Sequence, residues 1–392
     1  NEIPREIELP ISPDIVTIVG PRRSGKTFIM LKNAEKLLKM GENVLYVPFD
    51  EPALRRIEAR RFAEMVRQEY PDGKVFLFLD EIQDWWSWDS SLRWLHDVKD
   101  FQIYVSGSSS TLQSSEIPSR LRGRYISRLL LPLSYREIAK SISSIKENTF
   151  RNRGVLKRIL NEYLVWGGFP EVWLYRSREK IVSLLETMFY RDIVERHSIR
   201  NTQIFSDLLN MTLSNYSNLT TWHSIRRALK GVGVELDTKT VISYVEYMRQ
   251  AFLIFILRRY SHSEKLSTIS PKKIYVVDPA IINLFERPMD LGRRIENIVY
   301  IELIRQGKNP YYYITSSGKE LDFIIKEAKI QVLEACVEVD EEHLKKTIEA
   351  AEELKAGRID IITWDQEGEE TVRGRKVRIT PLWKWLLSRF KQ

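Results

Sequence analysis

An α/β protein built around a phosphate-binding loop is predicted by three features that stand side by side. The apolar, β-branched run Ile15-Val16-Thr17-Ile18-Val19 reads as a buried strand. Gly20-Pro21-Arg22-Arg23-Ser24-Gly25-Lys26-Thr27 follows it directly and fits G-x-x-x-x-G-K-[ST]. Phe28-Ile29-Met30-Leu31 then opens a helical pattern. Strand, glycine-bounded loop and helix are the context in which this motif cradles phosphates on its backbone N–H groups. Residues Gly20, Pro21, Arg22, Arg23, Ser24, Gly25, Lys26, Thr27 and Phe28 are therefore the candidate nucleotide site. Lys26 is expected to reach the β- and γ-phosphates and Thr27 to hold Mg²⁺.

The elements that follow suit a nucleotide-binding sheet. Residues 28–40 form an amphipathic pattern closed by Gly41, Val44-Leu45-Tyr46-Val47 is a second strand, and residues 51–70 read as a surface helix. Val75-Phe76-Leu77-Phe78-Leu79-Asp80-Glu81 is an apolar run ending in two acids, as a buried parallel strand with a ligand at its carboxyl end would be. Asp80 is expected to order the Mg²⁺ shell and Glu81 to polarise the attacking water. Residues 101–106 give a further strand, and Ser108 at its tip is expected to touch the γ-phosphate or the water, with Ser106 as the alternative. In Ser119-Arg120-Leu121-Arg122-Gly123-Arg124, Arg124 is the first candidate for an arginine finger reaching a neighbouring subunit's nucleotide, and Arg120 the second. That role implies a homo-oligomer; a merely solvated basic face is the competing reading. Trp85, Trp86 and Trp88 are the best candidates for exposed stacking surfaces, against packing as the commoner fate of tryptophan.

Composition bounds the rest. At 392 residues the chain exceeds one ordinary core, and 43% hydrophobic with 29% charged residues describes a globular protein. No apolar run approaches spanning length, the first residues lack the pattern of a signal peptide, and Cys336 stands alone. The expectation is a cytoplasmic protein without membrane partners. A net charge of +8 is compatible with nucleic-acid contact.

The motifs together resemble an AAA+ ATPase core: the loop, then Leu79-Asp80-Glu81-Ile82-Gln83, Val105-Ser106-Gly107-Ser108-Ser109, Gly123-Arg124 and Leu131-Pro132-Leu133-Ser134-Tyr135-Arg136-Glu137. The last segment is similar to prokaryotic, especially archaeal, AAA-type ATPases whose core is joined to a C-terminal nuclease-like domain. The resemblance implies ATP as the nucleotide, Mg²⁺ as the cofactor, Lys26 and Thr27 as Walker A, and Asp80 and Glu81 as Walker B. It extends through Trp166-Gly167-Gly168-Phe169-Pro170 and the C-terminal segments, so nearly the whole chain is covered.

The expected architecture is thus a P-loop NTPase core of AAA+ type at residues 1–145, a helical lid at 146–202, a winged-helix module at 203–270 and a restriction-endonuclease-like α/β domain at 271–392. Helical patterns at 204–215, 221–230 and 237–257, capped by Thr221 and Asp237, precede two strand-like segments, the order of a winged helix-turn-helix. Tyr244, Val245, Tyr247, Met248, Phe252 and Leu253 make its third helix core-like, so DNA contact and protein contact both stay open. In the last domain Glu296, Asp322 and Glu334 resemble the acids of PD-(D/E)xK nucleases, where a lysine follows the Glu by two residues. That position holds Cys336, and Lys319 and Lys326 are the candidates for a migrated lysine. A thiol cannot supply the charge, so a catalytically dead recognition module is expected. The function anticipated is ATP hydrolysis coupled to movement of the later modules on DNA. A protein-recognising nucleotide switch and an ATP-gated Mg²⁺ nuclease are the alternatives.

Overall fold

The computed structural model describes residues 2–107, 121, 123–142, 150–285 and 288–388. The chain divides into two compact units, one holding Pro4–Pro132 with Gln250–Phe252 and the other holding Leu133–Arg249 and the chain from Leu253 onward.

The first unit is a parallel sheet of β1 (Ile15–Val19), β2 (Asn43–Pro48), β3 (Val75–Asp80), β4 (Phe101–Gly107) and β5 (Tyr125–Leu129), in the order β2-β3-β4-β1-β5. β1, β3 and β4 are buried along their whole length, which is why they read as continuous apolar runs. Helix α1 (Lys26–Lys39) covers one face, with Ile29, Met30, Ala34 and Leu37 packed on Val16, Ile18, Phe76 and Phe78. Gly41 at φ 83° closes it, its N–H donating to the Leu38 carbonyl at 3.0 Å. Helix α2 (Ala59–Glu69) is shorter than the expected 51–70. The Arg55 and Ile57 carbonyls are taken by the Trp86 N–H and the Trp85 indole N–H, which pulls that stretch into turns. Trp85 is consequently core, stacked on Phe49 at 4.5 Å, whereas Trp86 is 76% exposed and Trp88, at the start of α3 (Trp88–Val98), is half-buried.

The second unit starts earlier than the expected boundary at 145. Leu133 N–H bonds the Gly168 carbonyl at 2.7 Å, so α4 (Tyr135–Ile142) packs with α5 (Phe150–Trp166). Helices α6 (Pro170–Tyr175) and α7 (Arg178–Thr187) follow, and a π-helical stretch, Met188–Glu195, continues the latter. Then come α8 (Thr202–Ser214), the short β6 (Leu219–Thr220), α9 (Trp222–Gly231), α10 (Thr238–Gln250) and β7 (Ile254–Leu257). Past α11 (Glu264–Ile269), β8 (Lys272–Val276) pairs antiparallel with both β6 and β7. The expected division at 270 cuts this three-stranded sheet, because β8 supplies its central strand. Thr221 and Asp237 cap α9 and α10 as predicted.

After α12 (Pro279–Ile282) and α13 (Leu291–Arg305), a mixed sheet holds β9 (Pro310–Ile314), β10 (Glu320–Lys326), β11 (Ile330–Ala335), β12 (Arg358–Thr363), β13 (Gly368–Val372) and β14 (Arg375–Pro381), ordered β13-β14-β12-β11-β10-β9. Helix α14 (Glu341–Glu353) buries Ile348, Ala350 and Ala351 against it, and α15 (Leu382–Leu387) ends the described chain.

Candidate active site

The phosphate loop leaves β1 and enters α1 with a backbone that only certain residues permit. A Cβ on Gly20 would stand 2.1 Å from the Leu130 carbonyl oxygen, and Gly25 lies at φ 99°. Gly25 makes no side-chain cap, so the first N–H groups of α1 face the loop's concavity. Lys26 is buried and donates to the Gly20 and Pro21 carbonyls at 3.1 and 3.0 Å, folded onto the loop it would leave to meet a phosphate. Among the described residues the fully buried Ser24 hydroxyl finds no partner. An orphaned donor, uncapped helix amides and a lysine within one loop fit an anionic phosphate. Arg22 is half-buried, while Arg23 and Phe28 are exposed. Arg5, from the segment preceding β1, braces the loop from behind, donating to the Ser24 and Leu131 carbonyls at 2.6 Å each.

Asp80 is the hub of the opposite wall. It is 4% exposed at the end of β3, and both its oxygens are engaged. Oδ2 accepts from the Thr27 hydroxyl at 2.6 Å and from the Tyr46 hydroxyl at 2.8 Å. Oδ1 accepts from the Ser106 hydroxyl and from the Glu81 N–H at 3.2 Å. Ser106 Oγ accepts the same Glu81 N–H at 3.1 Å. Burial, then the bond to Asp80, holds the Tyr46 phenol well above its ordinary range. Glu81 has φ 49°, a conformation a non-glycine residue keeps only when neighbours hold it, and its carboxylate accepts from the Gln83 amide. The predicted Thr27, Asp80 and Glu81 thus share one hydrogen-bonded network centred on Asp80, in which Ser106 bridges Asp80 and the Glu81 N–H and Tyr46 adds a further donor to Asp80.

The other sequence candidates fare differently. β4 does lie beside β1, and Ser106, the alternative, makes a polar contact with Asp80; Ser108 and Arg120 lie outside the described residues. Arg124 precedes β5, and its carbonyl accepts the Ile15 N–H at 3.1 Å at the amino end of β1. A strand of this length rises about 16 Å, so Arg124 sits at the far end of the sheet from its own phosphate loop. It pairs there with Asp97, whose carboxyl it holds below the usual range. Acting on the nucleotide of its own chain is excluded by that position.

In the second unit Glu296, Asp322 and Glu334 come together, 8%, 7% and 2% exposed. Cys336 is buried beside them, and burial first, then Glu334 and Asp322, pushes its thiol up to about 12. Neither expected lysine joins the acids: Lys319 pairs with Glu342 at 3.3 Å and Lys326 lies over the Tyr260 ring. Instead Lys273 of β8 contacts Glu296 at 2.6 Å, Asp322 at 3.2 Å and Glu320, and Lys346 of α14 contacts Glu334. Burial works to lower the Lys273 pKa, but Glu296, Asp322 and Glu320 outweigh it and hold the ammonium well above its ordinary value. The sequence reading missed both lysines. For Lys273 the available signal was a lysine running directly into the apolar Ile274-Tyr275-Val276 of its strand.

On α10, Val241, Val245 and Met248 are buried, Tyr244 meets Phe205 edge-on at 5.2 Å and Tyr247 stacks on His197 at 3.7 Å. The exposed basic face belongs to α9, as His223, Arg226, Arg227 and Lys230. No helix among the described residues is long and apolar enough to cross a membrane.

Comparison with known proteins adds to this geometry. A family model described as an AAA domain matches residues 12–139, and two described as domains of unknown function (DUF8612 and DUF4143) match 157–289 and 291–385. The uncharacterized protein MJ1544 of Methanocaldococcus jannaschii is 32% identical over 98% of this chain and 91% of its own. An uncharacterized protein of Haemophilus influenzae is 26% identical over 87% of each chain. Among solved structures, the Walker-type ATPase PABY2304 of Pyrococcus abyssi overlays with a TM-score of 0.41 at 13% identity, over 70% of this chain and 91% of that one. That overlay is too loose to carry an assignment.

Proposed function

The chain belongs to one family with MJ1544 and carries an AAA ATPase domain, and on that premise we propose that it hydrolyses ATP with Mg²⁺ and uses the cycle to move its second unit. The observation that carries this reading is the chain of hydrogen bonds from Thr27 through Asp80 and Ser106 to Glu81. Thr27 already gives its proton to Asp80, which leaves the hydroxyl lone pairs free for a cation. Bound Mg²⁺ would supply positive charge to the transferring phosphoryl group. Lys26 would exchange the Gly20 and Pro21 carbonyls for phosphate oxygens, a charge-assisted and stronger bond. Glu81, held at positive φ by Ser106 and Asp80, would orient water for attack. ATP rather than GTP rests on the AAA domain. Arg124 is proposed to serve a neighbouring copy, which requires a homo-oligomer.

The helices from Phe150 to Glu195 are read as the lid and the elements from α8 to β8 as a winged helix, a reading supported by helix, strand, two helices and two further strands in one antiparallel sheet. DNA phosphates would meet Arg226, Arg227 and Lys230 on α9, since α10 spends much of its surface on packing. That same packing favours a second reading, in which the module recognises a protein. ATP turnover measured with and without duplex, branched and single-stranded DNA separates the two. Stimulation that falls with salt and is lost in an Arg226→Ala/Arg227→Ala chain supports DNA; indifference to every DNA supports the protein-recognising switch.

A further inference from the structure

The acids of the second unit do not face open space. Glu296 comes from α13, Glu320 and Asp322 from β10 and Glu334 from β11, and Lys273 of β8 sends its ammonium among them. Lys273 is 2% exposed at its side chain. An ammonium has three N–H donors and no acceptor. Three carboxylates receive them here: Glu296 at 2.6 Å, Asp322 at 3.2 Å and Glu320. Several of the cluster's oxygens carry further bonds. Asp322 Oδ2 accepts the Ala335 N–H at 3.0 Å, Glu334 Oε2 accepts the Asp322 N–H at 3.3 Å, Glu334 Oε1 takes Lys346, and Glu296 Oε1 takes the Tyr275 hydroxyl at 2.7 Å as well.

These acids resemble a nuclease metal site in sequence, but the residues do not fit one. A magnesium ion asks for an octahedron of oxygens at about 2.0–2.1 Å, whereas one oxygen each of Glu296, Asp322 and Glu320 already faces the Lys273 ammonium and Glu334 is taken by Lys346. Among the described residues no three His, Cys, Asp or Glu side chains are arranged to hold a metal ion. Cys336 leaves no lysine at the usual position, while Lys273 arrives from a different sheet.

We propose that Lys273 is the resident cation of this cluster: its ammonium takes the position a divalent metal would need, and removing the side chain turns the cluster into a divalent-cation site. The lysine thereby ties the three-stranded sheet to α13 and β10, so the C-terminal domain is braced by an internal ion cluster in place of a metal. A site closed in this way offers no Mg²⁺ for phosphodiester cleavage. The proposal stands apart from the ATPase reading, since it concerns the second unit alone.

The test counts Mn²⁺ taken up by the full chain without nucleotide, from the EPR signal of the free ion. Wild type and Lys273→Arg are expected to show no uptake that Asp322→Asn removes. Lys273→Met is expected to gain a site at least about tenfold tighter than any uptake by wild type, lost again when Asp322→Asn is added. Wild-type uptake abolished by Asp322→Asn overturns the proposal, and so does a folded Lys273→Met chain that takes up no Mn²⁺. Should Lys273→Met fail to fold, acylation of wild-type Lys273 by acetic anhydride, mapped by mass spectrometry, decides. Protection unchanged between saturating Mn²⁺ and chelator supports the lysine as the cation. Labelling that rises with Mn²⁺ means that metal displaces it, which overturns the proposal.

Discussion

Replacing Ser106 with alanine removes the link between Asp80 and Glu81. The hydroxyl donates to Asp80 Oδ1 and accepts the Glu81 N–H at 3.1 Å, and it is fully buried. A hydrogen bond to a buried carboxylate contributes about 1.5–3 kcal/mol. The lost oxygen leaves little void, and the Glu81 N–H keeps Asp80 Oδ1 at 3.2 Å, so no donor is orphaned. The unit holding Pro4–Pro132 should therefore lose about 2 kcal/mol, read as a lower urea midpoint. Glu81 pays for its positive φ with contacts of this kind, and losing one lets its carboxylate drift. ATP turnover should fall about 10- to 100-fold in kcat with KM little changed, the mark of an interaction made in the transition state. Tyr46→Phe is the control, because its hydroxyl reaches Asp80 Oδ2 and not Glu81. It should cost about 1–2 kcal/mol of stability while kcat stays within about threefold. Equal losses of kcat in the two variants, or an unchanged kcat in Ser106→Ala, would refute the assignment of Ser106 to Glu81.

Lys26→Met should weaken ATP binding at least about 100-fold in calorimetry, because an ammonium that meets phosphates is replaced by an apolar group; retained affinity would reject the loop as the nucleotide site. Gly168→Ala should destabilise the second unit by about 3 kcal/mol or more, since its Cβ would stand 2.0 Å from the Leu133 carbonyl oxygen. An unchanged melting temperature would contradict that contact. Burial pushes the Asp278 carboxyl up to about 7, against the Gly168 and Ala280 N–H groups, which favour the anion. A folded value above the unfolded one means the contribution is complete below about pH 4 and is lost as pH rises through about 7. Wild-type stability should therefore fall more steeply than that of Asp278→Asn over this range in pH-resolved melts, and parallel curves would dismiss Asp278 as the source.

What could be read from the sequence was what lay within one stretch. The phosphate loop, its strand and its helix are contiguous, and Asp80-Glu81 ends an apolar run whose burial is plain from its composition. Ser106 and Tyr46 reach Asp80 through strand order and register, Val105 opposite Leu79 and Tyr46 opposite Phe78, which periodicity within one strand does not contain. Arg5 reaches Ser24 from a segment with no regular pattern of its own. Arg124 precedes an edge strand, where a neighbouring subunit's nucleotide is expected within reach; the sequence does not show that the parallel direction of β5 puts it at the opposite end of the sheet from its own loop. The burial of Lys273 depends on acids 23 to 49 residues further along the chain, brought in by α13 and β10. The β13–β14 hairpin turns on Arg373 and Gly374, both at positive φ, a two-residue signal that passed unread.

The most direct test of the ATPase account is Mg²⁺-ATP turnover by Glu81→Gln, with ATP affinity measured on the same protein. Gln keeps the shape and the backbone bonds to Asp80 and Ser106 but removes the charge that polarises water. The account predicts affinity unchanged and kcat lowered about 10²–10⁴-fold. Turnover equal to wild type would contradict it, because the water would then be activated by a group other than Glu81.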